Sequence, residues 1–106
     1  MSLFGFSRRP AIDEGLKAFA ADPGALLLDV RSAQEYRDGH IPGSRNLPLR
    51  SIEEIVSIAD QKSIPLYVYC HSGVRSSQAV GKLQELGYEN VKNIGGIASY
   101  SGKIES

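Results

Sequence analysis

The chain has little of what several protein classes require. It carries one cysteine in 106 residues. No intramolecular disulfide can form, which excludes a thiol-disulfide oxidoreductase with its own resolving cysteine. Such a composition fits a reducing compartment. Twelve basic residues balance twelve acidic ones, so there is no electrostatic case for nucleic acid or an anionic membrane as the main partner. The pair Arg8-Arg9 is too short to act as a basic arm. No apolar run approaches the roughly 20 residues of a membrane span. Met1 to Pro10 lacks the apolar core of a signal segment, so a cytoplasmic location is expected. No internal repeat or low-complexity tract is present. Two histidines and one cysteine, with no ligand spacing beyond the adjacent Cys70-His71, do not build a metal site, and no cofactor is expected.

The rest of the composition is that of an ordinary globular chain, and its length is close to the commonest domain size. One domain over residues 1–106 is expected, with a core from about 11 to 104 and residues 1–10 as an N-terminal extension. A monomer is the expected state.

The single cysteine is placed informatively. The apolar run Leu66-Tyr67-Val68-Tyr69 stops at Cys70, and a polar, glycine-containing segment follows: His71-Ser72-Gly73-Val74-Arg75-Ser76-Ser77. An amphipathic pattern then begins, with Ala79, Val80, Leu83 and Leu86 on one stripe. A lone cysteine inside an apolar run is usually a small buried hydrophobe. At the end of a strand, before a tight loop and a helix N-terminus, it faces converging backbone N–H groups and roughly half a positive charge of helix dipole. Arg75 adds a permanent cation. A thiol in that position is expected to have a lowered pKa and to be a nucleophile at neutral pH.

Helix and strand patterns alternate along the chain. Ile12 to Ala21 predicts a helix with Ile12, Leu16, Phe19 and Ala20 inward, ended by Asp22-Pro23-Gly24. Ala25 to Val30 is an apolar run broken only by Asp29, as suits a strand covered on both faces. Ser32 and Glu35 form a capping-box pattern for a short helix ending near Gly39. Pro42-Gly43 marks a turn, and Ser44 to Leu47 predicts a short strand. Ser51 and Glu54 form a second capping-box pattern, opening a helix with Ile52, Ile55, Val56 and Ala59 inward. Leu66 to Tyr69 predicts a central buried strand, with Tyr67 and Tyr69 in or near the core. Ser76 to Leu86 predicts a helix capped by Gly87. Glu89 to Ile94 predicts a last strand, and Gly95-Gly96 a turn into a final short segment. This alternation indicates an α/β domain with a largely parallel sheet. Ligands of such sheets bind beyond the carboxyl ends of the strands. Asp29 and Cys70 both end apolar runs there.

Taken together, these segments resemble the rhodanese family of single-domain sulfurtransferases. The resemblance runs from about Ala25 to Gly102. Leu28-Asp29-Val30-Arg31, Glu35-Tyr36 and Gly39-His40-Ile41-Pro42-Gly43-Ser44 look like that family's first signature. Tyr69-Cys70-His71-Ser72-Gly73-Val74-Arg75-Ser76 looks like its active-site loop. Leu86-Gly87-Tyr88 and Asn93-Ile94-Gly95-Gly96-Ile97 look like its closing segments. Family members often carry Trp soon after the Gly-Gly pair; Tyr100 stands near that position here, a substitution of one amphipathic aromatic for another.

The resemblance implies a rhodanese-like fold with helices on both faces of the sheet, and a ping-pong reaction. Cys70 takes the outer sulfur of a donor such as thiosulfate and holds it as a persulfide. Cyanide, a small thiol or a protein acceptor then removes it. The expected cradle comprises His71, Ser72, Gly73, Val74 and Arg75, with Arg75 as anion-binding cation. Small Ser72 and Gly73 let the backbone curl around sulfur.

Two other readings use the same parts. Tyrosine phosphatases and related arsenate reductases also place Cys and Arg around an anion-cradling loop, separated by five residues. Four residues separate Cys70 from Arg75, a loop suited to one sulfur atom rather than a tetrahedral phosphate. Many rhodanese-like domains are non-catalytic binding modules, but those typically lack the cysteine. Among supporting residues, Asp29 and Arg31 are expected as polar braces at the sheet rim, with substrate contact by Arg31 as the alternative. His40 is expected to brace a turn rather than act as a base, since a preformed thiolate needs none. The His71 side chain either tunes the thiolate and meets the acceptor, or points to solvent while only its N–H serves.

Overall fold

A computed structural model describes residues 11–106; the expected extension, residues 1–10, lies outside them. Helices and strands alternate as α1 (Ala11–Ala20), β1 (Leu26–Asp29), α2 (Ala33–Asp38), β2 (Arg45–Asn46), α3 (Ile55–Ile58), β3 (Leu66–Cys70), α4 (Val74–Glu85) and β4 (Val91–Gly96). Short 3-10 segments precede α3 at Leu49–Glu54 and follow β4 at Ile97–Ser99. The four strands form one all-parallel sheet in the order β2-β1-β3-β4. Each parallel pairing needs a crossover, which explains why a helical segment lies between every two consecutive strands. The fold class is the expected α/β, and no described helix is long and apolar enough to cross a membrane.

Strand β3 sits between β1 and β4, and all five of its residues are buried. Its side chains alternate between the two faces. Leu66, Val68 and Cys70 join Leu28, Val30, Ile52, Ile55, Ala79 and Leu83 on one face, covered by α3 and α4. Tyr67 and Tyr69 join Ile12, Leu27 and Ile94 on the other, covered by α1 through Leu16 and Phe19. Each fully buried aliphatic contributes on the order of 2 kcal/mol by leaving water. Tyr100 packs on the α1 face, and its hydroxyl donates to the Lys103 carbonyl at 2.8 Å. Helices thus lie on both faces of the sheet.

Several local expectations need correction. The Ser51–Glu54 capping box does not form. Pro48 opens a 3-10 helix instead, with no side-chain cap, and Ser51 inside it has φ −112 and ψ 20. The chain is tied to the end of β1 just before this point: Leu47 N–H donates to Asp29 O at 2.8 Å and Leu49 N–H to Val30 O at 3.1 Å. Those bonds start the helical segment early and tightly. A 3-10 helix eclipses residues three apart, so Ile52 and Ile55 both turn inward while Val56, expected inside, is 50% exposed. Ala20, expected inward, is exposed at the end of α1. The pair Gly95-Gly96 is not a turn. Both residues belong to β4, where the register shifts so that Val68 pairs with Asn93 and Tyr69 with Gly95. Gly96 lies flat against the loop after Cys70, where a Cβ would collide with the His71 carbonyl. Finally, α4 begins at Val74 rather than Ser76, with Gly73 as its cap.

Candidate active site

Cys70 ends β3, and its side chain points toward α4, only 1% exposed. The chain must reverse at once to start that helix. Gly73 makes this possible with φ 102, a left-handed conformation that a side chain would strain. The reversal carries the Gly73 N–H to 3.0 Å from Cys70 Sγ. The Ser72 and Ser76 N–H groups also favour the anionic sulfur, and the Ser76 hydroxyl lies 3.4 Å away. Burial by itself pushes the thiol pKa up. The donors of Ser76, Gly73 and Ser72 outweigh it, and the net effect lowers the thiol below its ordinary value.

Sequence reasoning did not single out Ser76, Asn93 or Glu35 as site residues. Ser76 is fully buried. Its Oγ lies 2.8 Å from Asn93 Oδ1, which also accepts the Gly95 N–H at 2.9 Å. Asn93 Nδ2 donates to the Gly73 carbonyl at 3.1 Å. One hydroxyl proton therefore has two acceptors. A hydrogen bond from that hydroxyl to Cys70 favours the anionic sulfur. The sequence signal was the second polar position of a helix whose stripe is otherwise apolar.

Arg75 lies at the first turn of α4. Its guanidinium forks onto Glu35 of α2, with Nη1–Oε1 at 2.7 Å and Nη2–Oε2 at 3.0 Å. The fork holds the Glu35 carboxyl down to about 2, helped by bonds from Ser32. Glu35 raises the Arg75 pKa, and the Cys70 charge adds to that effect. The expected capping box of α2 does form: Glu35 N–H donates to Ser32 Oγ at 3.2 Å, and Ser32 N–H to Glu35 Oε1 at 3.0 Å. One carboxylate thus caps α2 and holds the loop's cation. Around the rest of the loop, His71, Ser72 and Val74 are exposed, and the His71 carbonyl accepts the Ala98 N–H at 3.0 Å.

The supporting residues lie at the neighbouring strand end. Asp29 is fully buried and accepts four bonds from Arg31 between 2.7 and 3.1 Å. Arg31 also donates to the Gly39 carbonyl at 2.7 Å and lies 5.9 Å from the Tyr69 ring centroid. Burial opposes its charge, but Asp29 more than offsets this. Asn46 Nδ2 bridges the carbonyls of Asp29 and Arg31, each at 3.0 Å. Tyr69 points away from Cys70; its hydroxyl receives the Ile41 N–H and bonds Ser44 Oγ, both at 3.1 Å. His40 stacks on Tyr36 at 3.7 Å, its Nδ1 lies 2.9 Å from the Tyr36 carbonyl, and its backbone bridges Glu105.

A buried sulfur facing convergent N–H donors at a helix N-terminus is suited to hold negative charge on itself and on an atom bonded to it. Comparison with known proteins agrees on the family. The Rhodanese-like domain family matches residues 13–103. The thiosulfate sulfurtransferase PspE of Escherichia coli is 37% identical over 83 residues, covering 77% of this chain and 77% of that protein. The thiosulfate sulfurtransferase GlpE of Pseudomonas savastanoi is 37% identical over 75 residues, covering 71% and 70%. A solved rhodanese with anions from E. coli superposes with a TM-score of 0.71 at 33% identity, covering 76% of this chain and 96% of that one. The chain belongs to the rhodanese family.

Proposed function

We propose that this domain moves sulfane sulfur from thiosulfate or a related donor to a thiol or cyanide acceptor through a persulfide on Cys70. The Cys70 thiolate attacks the outer sulfur of thiosulfate. The sulfur–sulfur bond of the donor breaks, and sulfite leaves with its electron pair. Cyanide or an acceptor thiolate then attacks the outer sulfur of the persulfide, and the electron pair returns to Cys70 as thiolate. The amides from His71 to Arg75 carry the negative charge in both halves. Arg75 exchanges part of its fork on Glu35 for the donor's sulfonate. Asp29, Arg31 and His40 brace the rim and touch no reacting atom.

The observation that carries this reading is the Gly73 N–H at 3.0 Å from a buried Cys70 sulfur, backed by Ser76. The names of PspE and GlpE as thiosulfate sulfurtransferases support it. Presence of Cys70 weighs against a purely non-catalytic module, and the four-residue spacing to Arg75 weighs against a phosphatase.

Mass spectrometry after incubation with thiosulfate tests it. One added sulfur atom is expected on wild type, and neither loading nor thiocyanate formation on Cys70→Ser. Aryl phosphate is offered in parallel, with negligible hydrolysis expected. Phosphate-ester turnover without thiosulfate activity overturns the proposal.

A further inference from the structure

Helix α4 starts without a side-chain cap among the described residues, because Gly73 holds the cap position. A residue with φ 102 and no Cβ has wide conformational freedom. Yet the Gly73 N–H must stay 3.0 Å from Cys70 Sγ if the loop is to hold charge there. A partner outside the loop has to fix it. The Gly73 carbonyl accepts two bonds, from the Ser77 N–H at 3.1 Å and from Asn93 Nδ2 at 3.1 Å. The first belongs to the helix. The second comes from β4.

The Asn93 carboxamide fits this place in one orientation. Its Nδ2 faces a carbonyl, which only accepts, and its Oδ1 faces the Gly95 N–H at 2.9 Å, which only donates. The Gly95 contact lies where β4 slips register against β3, with Val68 opposite Asn93 and Tyr69 opposite Gly95. Irregularities of this kind re-aim side chains. The fixed Oδ1 also accepts the Ser76 hydroxyl at 2.8 Å. Asn93 is exposed, and an exposed amide is ordinarily met by water. Here Gly73, Gly95 and Ser76 meet it. Two of these, Gly73 and Ser76, are residues whose donors face the sulfur.

We propose that Asn93 is a positioning residue for the nucleophile: one carboxamide ties the Gly73 carbonyl to the Ser76 hydroxyl and so keeps the donors of both residues on Cys70 Sγ. It acts through those residues and not on the sulfur itself. The proposal rests on the sulfur-transfer reading only for what Cys70 attacks. The readiness of the thiolate is measured without it.

Alkylation of the full chain by iodoacetamide, followed against pH, is the first test. Asn93→Ala should move the inflection upward by about 0.5 to 1 pH unit, the equivalent of one neutral hydrogen bond. Arg75, which senses the Cys70 charge, is left on Glu35 by this change. The maximal rate of sulfur loading from thiosulfate should fall about fivefold, with the half-saturating concentration unchanged. Gln78→Ala removes another polar side chain from the groove that Asn93 lines, and should move neither quantity. Asn93→Thr suits a strand and is too short to reach Gly73; it should behave as Asn93→Ala and decides the matter if the alanine variant does not fold. An unmoved inflection overturns the proposal. So does a lowered one, which would mean that Asn93 draws the Ser76 proton away from sulfur. A raised half-saturating concentration at unchanged maximal rate also overturns it, since Asn93 would then bind the donor. If wild type transfers no sulfur from thiosulfate to cyanide, the sulfur-transfer reading falls, and the alkylation inflection alone decides the role of Asn93.

Discussion

Two neighbouring strand ends carry the two most consequential acidic groups of the sheet rim, and they are treated oppositely. Asp29 at the end of β1 and Cys70 at the end of β3 are both buried, in adjacent parallel strands. Asp29 is met by a guanidinium two residues along its own chain, which fills both carboxylate oxygens. Among the described residues no cation is bonded to Cys70. Its sulfur is met by N–H dipoles and one hydroxyl, while the Arg75 guanidinium is turned toward Glu35. A fully neutralised charge is a brace. A charge held only by dipoles keeps its lone pairs available for reaction. The difference between scaffold and nucleophile here lies in the kind of partner, not in the depth of burial.

The comparison breaks most visibly at Asp29. Asp29→Asn leaves the Arg31 guanidinium buried without a counter-charge, which costs about 3–5 kcal/mol. Urea unfolding should register a midpoint far below wild type. A midpoint within experimental error of wild type would mean Arg31 finds solvent and the brace is dispensable.

A smaller effect is expected at the other strand end. Ser76→Ala removes one sulfur donor and leaves Asn93 Oδ1 with only the Gly95 N–H. Losing a hydrogen bond to a charged group costs about 1.5–3 kcal/mol, so the rate of sulfur loading should fall by roughly tenfold to a hundredfold. The inflection in alkylation rate against pH should move up toward the roughly 8.5 of a free thiol. An unmoved inflection would assign the stabilisation to the backbone amides alone.

These two strand ends were the most legible part of the chain. Apolar runs that stop at Asp29 and at Cys70 mark the rim without any tertiary information, and the alternation of Leu66 to Tyr69 with helical stripes marks a parallel sheet. What the residues could not disclose were partners supplied from a distance. Glu35 is a proper capping-box residue, so its local role hides the second one; nothing near it in sequence announces Arg75. Asn93 lies on an edge strand and looks like an ordinary polar position. Gly95-Gly96 has the signature of a turn, because a backbone that must be bare against another backbone uses the same residues as one that must bend. The Ser51–Glu54 pattern failed for the converse reason: long-range bonds from Leu47 and Leu49 to β1 override a local cap.

The smallest effect sharpens the contrast between the two cations. Glu35 has its carboxyl lowered from 4.5 to about 2 by Arg75 and Ser32. A depressed acid stabilises the fold fully above its unfolded pKa and loses that contribution as pH falls. Stability of wild type should therefore decline between about pH 4.5 and pH 2, with Glu35→Gln showing a flatter profile over that window. Because both side chains are about a third exposed, the difference should stay under about 1 kcal/mol. Freed from its fork, Arg75 in Glu35→Gln should lower the KM for thiosulfate, whereas Arg75→Ala should raise it. A KM unchanged in both variants would make Arg75 a clamp between α2 and α4 only.

The contact of Gly96 with the His71 carbonyl has a consequence in time as well as in shape. The loop is wedged between β4 and the start of α4, so its amides already converge before any donor arrives. Its arrangement needs no closing step, and little reorganisation accompanies the first sulfur–sulfur bond. Alkylation of Cys70 should consequently follow a single exponential, with no lag and a rate proportional to reagent concentration throughout. A side chain at position 96 would pry the wedge open, and the same trace would then acquire a slow phase that no excess of reagent can hasten.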